Sequence, residues 1–443
     1  MTASPATDSS KGTIGLLAAV SIGVGGMVGG GIFAVLGLAV GLGGGGTFIA
    51  FFVAGMVALV TTYSYARLCI AMPSDGGTVS FLNAAFGAGS VTGTLNVLLW
   101  LSYVITTSLY AYAFGSYGAT LLPASAENVS LHVLTSASIL VITGLNVLSA
   151  RMIAAAENYI VAAKIAILIA FVAYALTRAD LGASAPSNWK GAGSLVAGGM
   201  LIFVAYEGFE LIANAAGDIE NPKRVIPRAL YTSVLFTIVL YMLVAVVTVG
   251  LLSATEIAGS ANFTLAEAAQ KVWGRIGFNL IVVAALLSTA SAINATLYGT
   301  ARLSVDIALD GELPSGLEHK IAGKPLVGLL LTAAAALAIA NLIPLEAISS
   351  LASAGFLIIF AAVNMANVRL ADRTRSHRSL SLVGAVMCVG ALTALLAHVA
   401  TDRPQDLVLL GGLLVLTYAG EATFQQRRRR RPDSNHPTPT SPH

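Results

Sequence analysis

Apolar residues in this chain come in blocks of about 20, separated by short polar stretches. A helix of about 20 residues crosses a hydrocarbon core of about 30 Å. Such blocks lie near 13–40, 46–70, 91–122, 131–149, 157–177, 193–216, 229–253, 276–300, 325–343, 347–369, 380–399 and 405–424. The pattern predicts an all-α membrane protein with twelve transmembrane helices. Glycines and prolines inside the blocks do not forbid this, because neighbouring helices can satisfy the freed backbone groups.

Basic residues orient the spans. Of the 24 Lys and Arg, 18 fall on the side that holds both termini, among them Lys11, Arg67, Arg151, Lys223, Arg224, Arg302, Lys320, Lys324 and Arg427 to Arg431. Arg178, Lys190, Lys271, Arg275 and Arg403 fall on the other, and Lys164 lies inside a span. The excess marks the first side as cytoplasmic. A multi-pass protein of the cell (inner or plasma) membrane is expected, with both termini in the cytoplasm. No short apolar core with a small-residue cleavage site precedes the first span, which is itself expected to direct insertion. After Phe424 come two glutamines and five arginines, then a stretch rich in Pro, Ser, Thr and Asn, a composition that predicts a disordered tail over 425–443. Its arginines suit either anionic lipid headgroups or simple anchoring of the last helix.

Composition agrees with this class: 56% of residues are hydrophobic and 10% charged, against about 25% charged in soluble domains. Cys69 and Cys388 lie in apolar runs without CxxC or Cys/His neighbours, so they read as small buried hydrophobes. His132, His319, His377, His398, His436 and His443 are scattered, and no HExxH, GxSxG or paired-aspartate constellation appears. Nothing supports an intramembrane enzyme, and no catalytic residue is assigned.

Three features carry chemistry. The first span contains Gly23-Val24-Gly25-Gly26-Met27-Val28-Gly29-Gly30-Gly31. Each glycine disfavours a helix by about 1 kcal/mol, and unwound backbone at membrane depth is tolerated where it lines a cavity. A break here would offer N–H groups to a carboxylate and carbonyls to an ammonium. Close helix packing through small residues is the other reading. The sixth span carries Phe203-Val204-Ala205-Tyr206-Glu207-Gly208-Phe209-Glu210. Intramembrane carboxylates face a cavity or a partner, although Glu210 also suits the cytoplasmic end of the span. Interrupted segments at matching places in two halves point to inverted repeats with a site between them. The expected organisation is a cytoplasmic segment 1–12, a first repeat 13–177, a second repeat 193–369, two extra spans within 380–424, and the tail.

The third feature is Lys164, about 10 Å along its helix from Glu157. Buried lysines titrate closer to neutrality than exposed ones, so Lys164 is either a proton carrier or a side chain snorkelling to the interface. In the eighth span, Ser288 and Ser291 share a helix face. They are placed to line a small cation site or simply to bond their own backbone.

These motifs resemble the amino acid–polyamine–organocation superfamily over roughly residues 10–425. The resemblance is carried by Gly29-Gly30-Gly31-Ile32-Phe33, by Tyr206-Glu207-Gly208-Phe209-Glu210 running into Glu220-Asn221-Pro222-Lys223-Arg224, and by Ser291 to Gly299 with Asp310-Gly311-Glu312-Leu313-Pro314. Lys164 looks like the fifth-helix lysine of the proton-coupled, ApcT-like subgroup, whose ammonium stands where sodium-coupled relatives hold sodium. The resemblance implies a LeuT-type 5+5 inverted repeat plus two helices. It implies that Gly29, Gly30 and Gly31 hold the substrate carboxylate, and that carbonyls of Met27 and near Val204 and Glu207 hold the ammonium. Phe203, Tyr206 and Tyr103 would form the pocket or gate, and Ser288 and Ser291 would neighbour Lys164. Many relatives carry Ser or Ala where this chain has Gly30. The function expected is proton-coupled amino acid import by alternating access, with H⁺ as coupling ion. The alternatives are an amino acid/amine exchanger or a non-transporting nutrient sensor. Beyond a small amino acid substrate and the lipid bilayer, no nucleic acid partner, metal or organic cofactor is expected, and the oligomeric state is open.

Overall fold

The computed structural model describes residues 13–73, 76–87, 89–123, 127–309 and 325–430. The segment 1–12, the Asp310 to Pro314 motif, Lys320, Lys324 and the tail beyond Arg430 lie outside the described residues. The described residues form helices α1 (Leu16–Met27), α2 (Gly31–Gly43), α3 (Thr47–Ala71), α4 (Gly77–Phe86), α5 (Ser90–Ala119), α6 (Glu127–Ala175), α7 (Ala192–Leu201) and α8 (Leu211–Asn214). There follow α9 (Pro222–Leu251), α10 (Ala254–Gly259), α11 (Thr264–Leu309), α12 (Leu326–Leu342), α13 (Leu345–Arg369), α14 (Ala371–Thr374), α15 (Arg378–Asp402) and α16 (Pro404–Arg430).

Among the described residues, seven segments are long and apolar enough to cross a membrane, and α1 with α2 make an eighth if that pair, bent by 47°, is one span. Four shorter apolar helices cover Tyr159–Ala175, Ala192–Leu201, Leu326–Leu342 and Pro404–Ala419. The apolar surface points the same way. α15 exposes Leu382, Val383, Val386 and Val389, a lipid-suited face that a soluble protein rarely leaves open.

Two boundaries differ from the sequence expectation. α6 is helical for 49 residues through both the fourth and fifth blocks, where a loop was expected near Arg151. Its Ser149-Ala150-Arg151-Met152-Ile153-Ala154-Ala155-Ala156 stretch has no Gly or Pro and is rich in strong helix formers. α16 likewise continues past Phe424 to Arg430, since Gln and Arg are also good helix formers.

α5 sits at the centre, against α6, α11, α12 and α13, while α3 packs on α9 and α15 on α13. Buried polar side chains tie α3, α13 and α15 together. Ser64 donates to Asn364 Oδ1 at 2.7 Å, Asn364 Nδ2 donates to Thr61 at 3.0 Å, and Asn367 Nδ2 donates to Ser381 at 2.7 Å. Such hydrogen bonds and small residues replace the hydrophobic drive that lipid cannot supply.

The first and sixth blocks run antiparallel and are joined at both ends. Before α1, Ile14 pairs with Ile219, its N–H donating to Asp218 O at 3.0 Å. After α2, Gly44 pairs with Trp189, and Gly45 N–H donates to Asn188 O at 3.0 Å. The chain then enters α9 through Asn221, which holds a left-handed φ of 45° ahead of Pro222 at the first helical position. Asn tolerates that conformation better than most residues and Pro is suited to the first turn, which gives Asn221-Pro222-Lys223 a local structural reason.

Candidate functional site

The glycine run does interrupt the first helix. α1 ends at Met27, α2 starts at Gly31, and Val28 and Gly30 lie between them at (−78°, 15°) and (−114°, −18°). The close-packing reading holds as well. A Cβ on Gly26 would come 2.9 Å from Gly208 Cα, and one on Gly30 would come 2.1 Å from Tyr110 Cδ1. The glycines both open the helix and let a second break lie against it.

That second break follows α7. Phe203–Tyr206 form one tight 3₁₀ turn, Glu207 is extended, and Gly208 takes φ 115°, which an L side chain rarely adopts. α8 then resumes at Leu211. Phe203, Val204 and Tyr206 are fully buried. Tyr206 donates to Phe51 O at 2.8 Å, the Phe203 ring meets Phe360, and Val204 N–H donates to Ser353 Oγ at 3.0 Å. These three face α3 and α13.

Beside the two breaks lies a cavity of about 210 Å³, lined by Ser21, Ile22, Gly25, Gly26, Tyr110, Val161, Glu207, Leu211, Ala292, Ala295 and Thr296. Of the residues expected at the substrate site, Glu207 reaches it, together with Gly25 and Gly26 of the glycine run; Met27, Gly29, Gly30, Gly31, Tyr103, Phe203, Val204, Tyr206 and Gly208 do not line it. Glu207 and Glu210 are 3% and 1% exposed. Tyr110 donates to Glu207 Oε2 at 2.7 Å, while Glu210 accepts from Tyr103 at 3.1 Å and from Gly208 N–H at 2.9 Å. Tyr103 and Tyr110 are two helical turns apart, on one face of α5. Tyr103 also borders a smaller cavity of about 30 Å³ with Asn214 and Thr296.

Lys164 does not snorkel. It is 1% exposed, and its Nζ donates to the carbonyl of Gly25 at 3.0 Å. Val161, one turn earlier on α6, touches the same glycine. From α11, Ser288 Oγ donates to Val28 O at 2.8 Å and also contacts Gly29 O. Ser291 is buried one turn further on. Thr289 bonds the Ala285 carbonyl of its own helix at 2.7 Å, the role that is common for hydroxyls in membrane helices.

Sequence reasoning missed Tyr110 and Tyr241. The Tyr241 hydroxyl, from α9, donates to Met27 O at 2.6 Å, lies 3.2 Å from Ala205 O, and accepts from Ile32 N–H. It therefore joins both breaks. The only signal was a tyrosine in an otherwise aliphatic stretch of the seventh block.

Toward the Gly44–Trp189 end lies a larger cavity of about 690 Å³, bordered by Gly41, Lys190, Leu201, Ala254, Ile257 and Glu346. Glu346 pairs with Arg403 at 2.6 Å. α10, on its rim, is closed by a capping box between Ser253 and Glu256. Lys271 and Ser253 hold the Glu256 carboxyl down at about 2.

Two broken, antiparallel helices meeting beside a buried cavity, in a bundle with an apolar rim, define a membrane solute carrier. Comparison with known proteins gives the family. A sequence model described as amino acid permease matches residues 14–406. An uncharacterized protein of Methanocaldococcus jannaschii is 33% identical over 392 residues, 87% of this chain and 89% of that protein. The inner membrane transport protein YbaT of Escherichia coli is 30% identical over 408 residues, 91% of this chain and 94% of that protein. The branched-chain amino acid permease BcaP of Bacillus subtilis is 24% identical over 388 residues, 81% of each. The chain belongs to the amino acid permease family, within the amino acid–polyamine–organocation superfamily. It is a multi-pass membrane transporter, and a permease moves its solute without transforming it.

Proposed function

We propose that this chain imports amino acids by proton symport, as a secondary active transporter of the cell (inner or plasma) membrane. Twelve spans would form a LeuT-type 5+5 inverted repeat with two added helices and both termini cytoplasmic. The seven long helices, the bent pair and the four shorter apolar helices supply twelve candidates in support of that number, and the two end-to-end pairings of the first and sixth blocks suit a two-fold relation between halves. A substrate amino acid would lie between the breaks, its carboxylate toward the N–H groups at Gly29 to Gly31.

The observation that carries the reading is the bond from buried Lys164 to the carbonyl of Gly25. A charged donor contributes about 1.5–3 kcal/mol to such a bond, against about 0.5–1.5 kcal/mol for a neutral one. A difference of about 1.4 kcal/mol shifts an equilibrium tenfold. Protonation of Lys164 therefore stabilises whichever conformation holds α1 against α6, and loss of the proton releases it. No sodium is needed in that cycle.

The test is uptake of a labelled amino acid into proteoliposomes under an imposed pH gradient, with and without sodium. The parent protein is expected to accumulate substrate without sodium, and Lys164→Ala to lose accumulation. Lys164→Arg is not expected to rescue it, because a guanidinium keeps its charge at any accessible pH. Full gradient-driven accumulation by Lys164→Ala, or an absolute sodium requirement in the parent, overturns the mechanism. Uptake that needs amino acid on the far side and ignores the pH gradient identifies an exchanger.

A further inference from the structure

The polar groups at the breaks are unequally engaged by the protein itself. Met27 O and Ala205 O both meet the Tyr241 hydroxyl. Val28 O and Gly29 O meet Ser288, and Gly25 O meets Lys164. Val204 O accepts from Glu207 N–H at 3.1 Å. Each of these carbonyls has a protein donor beside it, and of the residues that carry them Gly25 lines the 210 Å³ cavity while Met27, Val28, Gly29, Val204 and Ala205 do not.

The Glu207 carboxyl differs from all of these. It is 3% exposed, lines the 210 Å³ cavity, accepts from Tyr110 at one oxygen and shares a hydrogen bond with the Glu210 carboxyl. The ion pairs of the described residues do not include it. One proton shared between the two carboxyls leaves one negative charge on the pair, and a buried charge calls for a compensating cation. Glu210, three residues on, already receives Tyr103 and the Gly208 N–H. One tyrosine ring links the two ends of the candidate site: Tyr110 packs on Gly30 and its hydroxyl reaches Glu207. The cavity that Glu207 lines is also bordered by Gly25 and Gly26 of the first break, a setting that suits a short zwitterion with its ammonium at Glu207.

We infer that the Glu207 side chain is the ammonium receptor of this permease, so that the site selects solutes bearing a protonated amine. The inference rests on the transport reading above, and it assigns to a side-chain carboxylate the recognition that backbone carbonyls would otherwise perform. Tyr110 is then a positioning residue, holding the carboxylate toward the cavity.

The experiment uses the full chain in detergent and measures thermal shifts and equilibrium binding. The probes are the twenty L-amino acids and, for each that binds, its decarboxylated amine and its des-amino carboxylic acid. In the parent, amino acids are expected to bind at least about 30-fold more tightly than their des-amino acids, the loss typical when one partner of a buried charge pair is removed. Glu207→Gln is expected to erase that preference by weakening amino acids and amines while sparing des-amino acids. A misfolded variant would lose every ligand alike. Glu207→Asp keeps the charge but withdraws it by one methylene, so it serves if the Gln variant does not fold, with the same selective loss at smaller magnitude. Amino acids that bind parent and Glu207→Gln equally overturn the inference and leave amino acid transport standing; a carboxyl held neutral would give this result. A parent that binds no amine-bearing probe overturns both.

Discussion

Gly30→Ala isolates the close approach between the first break and α5. The backbone at Gly30 has φ −114° and ψ −18°, a region open to any L residue, so alanine adds no conformational strain. Its methyl alone is the perturbation. That methyl would lie 2.1 Å from Tyr110 Cδ1 and 2.8 Å from both Cγ and Cε1, so the ring must move. Overpacking of this kind costs about 1–3 kcal/mol. Moving the ring also draws the hydroxyl from Glu207 Oε2, where it now sits at 2.7 Å, and a hydrogen bond to a charged group contributes about 1.5–3 kcal/mol. A total of about 2.5–6 kcal/mol is expected, divided between stability and ligand affinity. The assay pairs thermal unfolding in detergent with amino acid binding, and Gly41→Ala serves as control because nothing lies within 4 Å of that position. Tyr110→Phe should not relieve Gly30→Ala, since the clash is with ring carbons; Tyr110→Ala should. Parent-like stability and affinity in Gly30→Ala would refute the reasoning.

Other outcomes follow from single contacts. Tyr241→Phe leaves Met27 O, Ala205 O and Ile32 N–H without their shared partner; hydrogen exchange should accelerate at 27–33 and 203–208 and stay unchanged in α15. A Cβ at Gly384 would fall 2.4 Å from Asn364 Oδ1, so Gly384→Val should lower thermal stability by about 1–3 kcal/mol, whereas Gly390→Val, facing open space, should not. Glu256 has its carboxyl held below the usual 4.5, at about 2. Its contribution to the α10 cap is therefore present above pH 4.5 and is lost as pH falls through about 2; protease protection of 253–260 should follow that course in the parent and be weak at every pH in Glu256→Gln.

The sequence by itself determined where the apolar helices lie and where two of them break. Hydrophobic blocks and glycine runs are local properties, and their consequences are local too: backbone at Val28 and at Glu207 leaves the helix because neighbouring residues cannot hold it. Lys164 and Glu207 were legible for the same reason, since an ionisable residue in an apolar run is costly wherever it lies. What those groups touch was decided by tertiary structure alone. Tyr110 meets Glu207 across 97 positions of sequence, and Tyr241 meets Met27 across 214, contacts that no local pattern encodes. Phe203 and Tyr206 turned toward α13 and α3, away from the cavity, because the rotation of a broken helix is fixed by what packs around the break. A hydrophobic pattern specifies that a face is buried; only the assembled bundle specifies against what.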